Sequence, residues 1–477
     1  MPAEMKLSVD AAMDLALQHH NAGRFAEAEQ VYRSILEQVP ENPYALHNLG
    51  DIFNRVKRYD LAEGFLRRAV KAAPEDPMFH NTLGVVLLNK GDGEGAFYHC
   101  KKASELNPEF ALPWVNLGIC YADLIDLPAS IAAFERGLQL DPDNPNGHDG
   151  LGLSLLMHGQ LQKGWLEQEW RWRKANYEKR RFMEHPQWQG EDLRGKKILL
   201  MFEQGVGDMI QFCRYAPLLA ARGAKVILEI VPDLQELMHS LDGVTQYIYA
   251  GQKPPPFDYV TPLMSAPLWY GTDLDTIPNK TPYLIPPPQR VAEWDAYFRT
   301  DPSVKIAIVW AGRPTHPNDH NRSTTLNTFA PLGEIPGITF YSLQMGPRSE
   351  QGFDPPAGMN VVNLGSRLDS FDTSSAVLSH MDLIISVDTS VIHVAGAIGK
   401  PVWAMLAMCP DWRWMLGRMD TPWYPTMRLF RCPGRRDWKG VMTQVKKHLI
   451  EALDKKRRGV KDWALFPVNP APSSPSK

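Results

Sequence analysis

A glycine turn near the middle of the chain carries a carboxylate that could take a proton from a hydroxyl group. Gln204 is followed by Gly205 and Gly207, and Asp208 comes directly after them. Glycine has no Cβ, so a substrate can approach the backbone of such a turn closely. Asp208 would then stand at the start of a helix, where it could act as a general base or simply cap the helix. The local sequence leaves both roles open.

A second segment has the residue types that bind an anion. Asp388, Thr389 and Ser390 follow a short apolar run and precede a helix pattern rich in small residues. The first N–H groups of a helix and its dipole favour negative charge, and the two hydroxyls add donors. His393 is four residues after Thr389, so it shares that face of the helix. The segment is typical either of an anion site at the carboxyl end of a strand or of an ordinary capped crossover helix.

Both segments belong to a region in which short apolar runs alternate with helix patterns, beginning at Lys196. This alternation predicts parallel sheets, and so an α/β module of two Rossmann-like lobes with a cleft between them. The predicted strands are Ile198–Phe202, Lys225–Ile230, Thr245–Tyr249, Lys305–Trp310, Thr339–Leu343, Val361–Leu364, Asp382–Val387 and Val402–Leu406. The predicted helices include Met209–Ala221, Pro232–Leu241 and Asp437–Arg457.

Composition and missing motifs exclude several functional classes. The glycine turn lacks the third glycine of a dinucleotide fingerprint and the Lys-Ser/Thr of a P-loop, so we predict neither NAD binding nor an ATPase. The net charge of −3 over 477 residues gives no reason to expect nucleic acid. The five cysteines form no C-x-x-C pair, which indicates reduced thiols in a cytoplasmic protein. The sequence predicts no signal peptide and no membrane span.

The first third of the chain is a repeat array. Four prolines and four Leu-Gly pairs recur at a constant step of 34 residues, namely Pro40, Pro74, Pro108 and Pro142, and the pairs at 49–50, 83–84, 117–118 and 151–152. This pattern resembles the tetratricopeptide repeat. We expect an all-α superhelix over residues 1–178, with four clear repeats and a degenerate fifth. Residues 179–195 are predicted to be a linker, and residues 466–477 a disordered tail.

Superhelices of this kind bind partners on a concave face. The first-helix positions of the second repeat place Tyr44, His47 and Asp51 on that face. Asn48 and Asn116 occupy a register that resembles the asparagine ladder of O-GlcNAc transferase, which holds extended acceptor peptides. Asparagine is also common at this position without binding a ligand, so a ligand role and a structural role are both open.

The module after the repeats resembles the heptosyltransferase-like glycosyltransferases of family 9, in particular the bacterial branch fused to tetratricopeptide repeats. The resemblance rests on segments 203–208, 309–312, 321–323, 341–344, 386–393 and 410–414, and covers about residues 186–445. It implies the two-lobed GT-B fold. The acceptor-side lobe would span residues 196–290, and the donor-side lobe, with a C-terminal helix, residues 291–465.

The resemblance also implies an activity and a set of roles. The expected reaction is an inverting, metal-independent transfer of a sugar from a nucleotide-sugar donor to an acceptor hydroxyl, with no cofactor. Asp208 would be the base, and Gln204, Gly205 and Gly207 would lie on the acceptor side. The residues expected to bind the donor are Arg322, Ser323, Gln344, Asp388, Thr389, Ser390 and His393. The repeats would recruit a protein or glycan acceptor, or a partner protein.

An inactive repeat scaffold for protein–protein interaction is the alternative. Met345 stands where many relatives of the family have lysine, and the first lobe is short. Either departure could remove activity while leaving the fold intact. The sequence does not identify the sugar, the nucleotide base or the acceptor.

Overall fold

A computed structural model describes residues 8–175, 177, 181–182 and 184–465 of the chain. These residues form two compact units. The described residues of the first unit lie within 1–155 and 166–177, and those of the second lie within 156–165 and 178–477. The predicted tail, 466–477, and part of the predicted linker lie outside the described residues.

The repeat region is a run of paired helices. Its helices are α1 (Val9–Asn21), α2 (Phe25–Gln38), α3 (Pro43–Arg55), α4 (Tyr59–Ala72), α5 (Pro77–Lys90), α6 (Gly93–Leu106), α7 (Ala111–Asp123), α8 (Leu127–Leu140), α9 (Pro145–Met157) and α10 (Leu161–Gln168). The four pairs from α1 to α8 correspond to the four clear repeats. The prediction of an all-α repeat region is therefore confirmed.

The recurring glycine of each repeat is explained by close packing of its two helices. A Cβ added at Gly50 would lie 2.5 Å from Cγ of Leu66, and one at Gly118 would lie 2.7 Å from the ring of Phe134. Cβ atoms do not approach other heavy atoms so closely without a shift of the neighbour. The 34-residue periodicity thus reflects one repeated contact between helices.

The second unit begins with a four-stranded parallel sheet. Its strands are β1 (Lys197–Met201), β2 (Lys225–Ile230), β3 (Val244–Tyr249) and β4 (Tyr259–Pro262), in the order β3-β2-β1-β4. The accompanying helices are α11 (Val206–Phe212), α12 (Tyr215–Ala221), α13 (Gln235–Met238) and α14 (Ala266–Tyr270). The central strand β1 pairs with β2 on one side and β4 on the other.

A six-stranded parallel sheet follows. Its strands are β5 (Val304–Val309), β6 (Ile338–Ser342), β7 (Val361–Asn363), β8 (Leu383–Val387), β9 (Val402–Leu406) and β10 (Met427–Arg431), in the order β10-β9-β8-β5-β6-β7. Its helices are α15 (Pro288–Phe298), α16 (Asp319–Arg322), α17 (Phe371–Ser379), α18 (Ser390–Ala397) and α19 (Trp438–Arg457). The second lobe has a continuous core of buried side chains from its strands and α19.

The strand orders show where ligands are expected. In the first sheet the chain leaves β1 for β2 and β3, then returns to the opposite side of β1 as β4. In the second sheet the direction reverses between β5 and β8. The crevice beyond the carboxyl ends of the strands at such a reversal is where open α/β sheets bind ligands. The glycine turn follows β1, and Asp388 follows β8, so both predicted segments lie at reversal points.

Three details differ from the sequence-based expectation. Strands β4 and β10 were not predicted. The helix predicted at Met209–Ala221 is two helices, α11 and α12. Pro217 has no N–H to donate to the carbonyl of Cys213, four residues earlier, and its ring would clash with that carbonyl in a continuous helix. Residues 156–165, which the prediction assigned to the repeat domain, pack with the second unit. The reason is Trp165, whose buried indole donates to the carbonyl oxygen of Thr272 at 3.2 Å.

Within the described part of the chain, no helix is both long enough and apolar enough to span a membrane.

Candidate active site

The glycine turn is held by the residues on either side of it. Gln204 has a backbone φ of +61°, a left-handed conformation that residues other than glycine rarely adopt. The following residues start α11, and the backbone N–H of Gly205 donates to Oδ2 of Asp208 at 3.0 Å. Asp208 therefore caps its own helix with one carboxylate oxygen. Its other oxygen accepts a hydrogen bond from Nη2 of Arg413, which belongs to the second lobe.

The segment after β8 forms the second wall of the site. Thr389 is the N-cap residue of α18, and its side chain makes no capping hydrogen bond, so the helix start stays available to other acceptors. Asp388 accepts a hydrogen bond from the indole Nε1 of Trp414 at 2.8 Å. Burial, reinforced by the negative charge of Asp411, raises the pKa of Asp388 to about 6. This carboxyl group can therefore change its charge near neutral pH.

The loop after β5 brings Arg322 to the site. A Cβ on Gly312 would lie only 2.7 Å from Nη2 of Arg322, so this glycine is what lets the guanidinium lie against the backbone. The backbone N–H of Gly312 donates to Oγ of Ser323 at 2.9 Å, and Ser323 donates to Asp319 at 2.6 Å. The buried Nε of Arg322 has no hydrogen-bond partner among the described residues.

These three segments line one cavity with a volume of about 640 Å³. The cavity lies within the second unit and takes residues from both lobes. The predicted residues that line it are Gln204, Gly205, Gly207, Asp208, Arg322, Asp388, Thr389, Ser390 and His393. Residues separated by almost two hundred positions in the sequence are thus brought together around one space.

Two predicted donor-binding residues do not line the cavity. Gln344 accepts hydrogen bonds from the backbone of Trp310 and Ala311 at 3.2 and 2.9 Å, and its amide donates to the carbonyl of Ala311 at 3.1 Å. Ser323 is engaged in the loop contacts described above. Both side chains hydrogen-bond to the loop after β5 and do not line the cavity, so their direct contact with the donor stays a prediction.

His393 is buried at the contact between the two lobes. A Cβ on Gly207 would lie 3.1 Å from its ring, so the glycine of the first lobe admits the histidine of the second. Its Nδ1 is 2.9 Å from the hydroxyl of Tyr424. Burial, reinforced by the charges of Arg413 and Arg214, holds the pKa of His393 well below its usual value. The imidazole is therefore neutral at physiological pH.

Arg413 is a residue of the site to which sequence reasoning gave no role. Its side chain is 9% exposed. Nε donates to Oε1 of Gln211 at 2.7 Å, and Nη1 donates to Asp411 at 2.9 Å, in addition to the contact with Asp208. The arginine therefore joins the loop after β9 to helix α11. Its position within segment 410–414, which carries part of the family resemblance, was the available signal.

Further cavity residues come from the loop after β5 and from α17. They are Arg313, Thr315, His316, Pro317 and Phe371. Burial, reinforced by the charge of Arg322, lowers the pKa of His316. The described residues hold no group of three or more His, Cys, Asp or Glu side chains that could bind a metal ion.

The predicted partner-binding residues of the repeats have contacts of their own. Tyr44 is 58% exposed and meets Phe79 edge-on. His47 stacks on Phe79 and lies 2.9 Å from the hydroxyl of Thr82. Asp51 accepts from Arg55 at 2.7 Å and lies 3.0 Å from Nε2 of His20.

The asparagines predicted for a ladder also have neighbours. The amide of Asn116 donates to Asn81 at 2.8 Å, and Asn48 is partly buried beside His47. Among the predicted residues of this surface, Tyr44 is the most open to a partner. A role of these side chains in binding stays a prediction.

Comparison with known families finds two matches. The family model for the tetratricopeptide repeat matches residues 13–77 and 58–109. The family model for glycosyltransferase family 9 (heptosyltransferase) matches residues 356–423. The second match contains Asp388, His393 and Arg413, whereas Asp208 and Arg322 lie outside it.

Curated relatives match either most of the chain or less than a third of it. Protein FlbA of Caulobacter vibrioides is 26% identical over 440 residues, which cover 85% of this chain and 72% of FlbA. The tetratricopeptide repeat-containing protein trd-1 of Caenorhabditis elegans is 28% identical over 144 residues, which cover 30% of this chain and 18% of that protein. The chain thus spans most of FlbA and less than one fifth of trd-1.

Solved structures similar to this chain include MamA, at 20% identity and a TM-score of 0.30, with 33% of this chain and 92% of MamA covered. The tetratricopeptide repeat protein YrrB is similar at 18% identity and a TM-score of 0.30, with 34% of this chain and 84% of YrrB covered. The family matches and the match to FlbA agree with the repeat helices and the two parallel sheets. The chain therefore combines tetratricopeptide repeats with a glycosyltransferase family 9 domain.

Proposed function

We propose that the protein is an inverting glycosyltransferase that moves a sugar from a nucleotide-sugar donor to an acceptor hydroxyl without a metal ion. The observation that supports the proposal most directly is the shared cavity. A carboxylate of the first lobe, Asp208, lines the same space as Arg322 and the start of α18 in the second lobe. One group can take a proton and the others can hold an anion.

The proposed base is Asp208. Each of its oxygens accepts one hydrogen bond, from Gly205 and from Arg413. A carboxylate has about four lone-pair sites, so it can still accept the proton of an acceptor hydroxyl. As that proton moves to Asp208, the acceptor oxygen forms a bond to the anomeric carbon, and the bond from this carbon to the phosphate oxygen breaks. Attack opposite the leaving group inverts the anomeric centre.

The proposed phosphate site is the start of α18 together with Arg322. The hydroxyls of Thr389 and Ser390 line the cavity beside the free N–H groups of the helix. Arg322 supplies a cation, whereas Arg413 is already paired with two aspartates. We infer that the departing nucleoside diphosphate is stabilised by the helix start and Arg322. The neutral imidazole of His393 lines the same cavity and adds no charge.

Rough magnitudes indicate that both parts are needed. A general base contributes roughly 10²- to 10⁴-fold, whereas enzymes commonly lower the barrier by more than about 8 kcal/mol. Such a base supplies only about 3–5 kcal/mol of that. One preorganised donor at a developing charge supplies about 2.7–4 kcal/mol. Several donors at the leaving group, combined with the base, reach the required range.

The role proposed for the repeats is recruitment of the acceptor or of a partner protein. The family match and the exposed ring of Tyr44 support this proposal.

Calorimetric titration of the full-length protein with UDP, GDP, ADP and CMP tests the donor site. We expect one nucleotide to bind selectively, and Arg322→Ala and the double variant Thr389→Ala/Ser390→Ala to weaken it by about tenfold or more. Arg367→Ala is the matched control, because Arg367 lies over Trp294 outside the cavity. A folded sample that binds none of the four nucleotides would favour the inactive scaffold instead.

The nucleotide sugar that carries the selected base then tests Asp208. We expect Asp208→Asn to slow release of the nucleoside diphosphate by roughly 10²- to 10⁴-fold, because the base is lost. The affinity for the free nucleotide should change by less than about threefold, since Asp208 does not hold the leaving group. An unchanged release rate in Asp208→Asn would show that another group acts as the base.

A further inference from the structure

Trp165 lies on α10, the last repeat-like helix, and belongs to the second unit. It lies near the middle of α10 and is 2% exposed. Its indole N–H donates to the carbonyl oxygen of Thr272 at 3.2 Å, and the amide of Gln162 donates to the same oxygen at 2.7 Å. Two hydrogen bonds therefore attach this part of α10 to the loop after α14.

The indole of Trp165 is also one wall of an aromatic cluster. The cluster consists of Trp165, Phe212, Trp412 and Trp423, all buried. The ring of Trp165 meets Trp412 at a centroid distance of 5.1 Å and an angle of 88°, and it meets Phe212 and Trp423 at 6.4 Å each. Edge-to-face contacts of this kind fix ring orientation as well as position.

The aromatic cluster touches the proposed catalytic groups through Arg413. The guanidinium of Arg413 lies 4.5 Å from the ring centre of Trp412 and 5.7 Å from that of Phe212. Phe212 is four residues after Asp208 on α11, so both side chains lie on the same face of that helix. The ring that Trp165 supports thus carries the cation that pairs with Asp208.

We propose that Trp165 is a positioning residue of the transferase site, acting through Trp412 and Arg413 on the orientation of Asp208. The proposal rests on the proposed function. If the indole is removed, Trp412 loses its perpendicular neighbour and can tilt. Arg413 then no longer holds Asp208 and Gln211 in their present geometry. Sequence periodicity assigns α10 to the repeats, but its residues 161–165 belong to the second unit and would contribute to the transferase site.

Kinetics of full-length Trp165 variants test this assignment. We expect kcat for release of the nucleoside diphosphate to fall roughly tenfold in Trp165→Phe and roughly a hundredfold in Trp165→Ala, because small displacements at a reacting group are costly. The KM for the nucleotide sugar should change by less than about threefold, since the donor contacts of α18 do not involve this cluster. Rates are divided by the number of sites that bind the free nucleotide, so loss of folded protein does not lower kcat.

Trp188→Phe is the matched control. Trp188 is fully buried in the same unit, and its indole N–H also donates to a backbone oxygen, that of Glu191 at 3.0 Å. It lies outside the aromatic cluster. We expect Trp188→Phe to lower the melting temperature while kcat stays at the wild-type value. Equal effects of Trp165→Phe and Trp188→Phe on kcat would overturn the proposal. If Trp165→Ala does not fold, the comparison of kcat between Trp165→Phe and Trp188→Phe still tests the proposal.

Hydrogen exchange separates failure of this proposal from failure of the proposed function, because it needs no activity. The amides of Trp414 and Met415 donate to the carbonyls of Asp411 and Trp412 at 3.1 Å each. We expect these amides to exchange faster in Trp165→Phe than in wild type, with no change in Trp188→Phe. If the wild type releases no nucleoside diphosphate from any nucleotide sugar, the proposed function fails. Faster exchange would then still support the link from Trp165 to this loop, and unchanged exchange would overturn it.

Discussion

Arg413 is a buried cation that forms ion pairs with two carboxylates. Burial alone would lower the pKa of its guanidinium, but the charges of Asp411 and Asp208 outweigh burial and raise that pKa. The arginine therefore keeps its charge at any working pH, and both aspartates stay compensated. A buried charge without such a partner costs several kcal/mol. Asp388 has no such ion pair among the described residues, and burial, reinforced by the negative charge of Asp411, raises its pKa.

Asp388 should make the second unit less stable at neutral than at acidic pH. Its pKa in the folded protein is about 6, above the ordinary value of 3.8. Between these values the folded state holds a proton that the unfolded state has lost, so its stabilising contribution is complete below pH 3.8 and is lost as pH rises through about 6. We therefore expect Asp388→Asn to raise the free energy of unfolding at pH 7.5 by on the order of 1–3 kcal/mol. Urea unfolding measures this.

The increase in the free energy of unfolding caused by Asp388→Asn should shrink as the pH is lowered towards 4, where wild-type Asp388 is already neutral. Asp192→Asn is a suitable control. Its side chain pairs with Arg194, which lowers the pKa of Asp192, so this substitution should give no gain at pH 7.5. A pH-independent difference between wild type and Asp388→Asn would contradict the raised pKa.

At the level of elements, the site is produced by strand order. The glycine turn follows β1 and the Asp388 segment follows β8, and each strand is a point at which its sheet reverses direction. Strand ends at such points are not covered by a crossover connection, so the loops that follow them are open to ligands. This explains why the two short motifs predicted from the sequence line the same cavity. It also explains why their loops tolerate strained backbone such as that of Gln204.

The helix pairs of the repeats yield a test of close packing. A Cβ at Gly118 would meet the ring of Phe134 at 2.7 Å, whereas one at Gly64, also within a helix, has nothing within 4 Å. We expect Gly118→Ala to lower the free energy of unfolding of the first unit by roughly 1–3 kcal/mol, because a buried ring must move. Gly64→Ala should raise it by roughly 0.5–1 kcal/mol, because alanine loses less entropy in a helix. Urea unfolding of both variants, beside wild type, measures the difference in sign. Stabilisation by both substitutions would mean that the two helices can separate without cost.

At the level of the whole molecule, the two units should respond differently to acid. Buried His80 and His99 face each other in the first unit with their Nδ1 atoms 2.9 Å apart, and Nε2 of His80 donates to the carbonyl of Pro74 at 3.0 Å. Protonation of His80 at Nδ1 would place two N–H groups against each other. Burial, reinforced by His80, lowers the pKa of His99 to about 4. Burial also lowers the pKa of His80, so as pH falls below the usual value of 6.5 the unfolded chain binds a proton at each of these histidines before the folded chain does.

The first unit should consequently lose stability between pH 6.5 and about 4, by on the order of 1–3 kcal/mol from this pair. Over the same range Asp388 changes the stability of the second unit in the opposite direction. Urea unfolding at pH 7.0 and 4.5 measures the loss, which we expect His99→Leu to reduce. His19→Leu, at a half-buried histidine of α1, should leave the loss unchanged. An equal loss in wild type and His99→Leu would rule out the pair as its source.

Local sequence determined much of this protein. The 34-residue step predicted the helix pairs, because each repeat needs the same small residue at the same contact. Apolar runs predicted eight of the ten strands in the described part of the chain, because most of these runs are buried in parallel sheets, although β3 and β7 are largely half-buried or exposed. Strand β4 was missed because it is only four residues long and ends in proline. Strand β10 was missed because it is an edge strand that begins and ends near arginines.

Only the tertiary structure decided which side chains meet. Gln344 and Ser323 share the resemblance to the family with Arg322, yet their hydrogen bonds are used within the loop after β5. Arg413 was marked only by its place in segment 410–414, and Trp165 by nothing that indicated a role at the site, because the contacts of both depend on residues far away in sequence. Periodicity likewise did not predict the unit to which α10 contributes Trp165, since repeat spacing records only the contacts that recur from one repeat to the next. Residue type and spacing thus predict local structure and the kind of chemistry. The partners of each buried charge and ring follow from packing between distant segments, which no local pattern encodes.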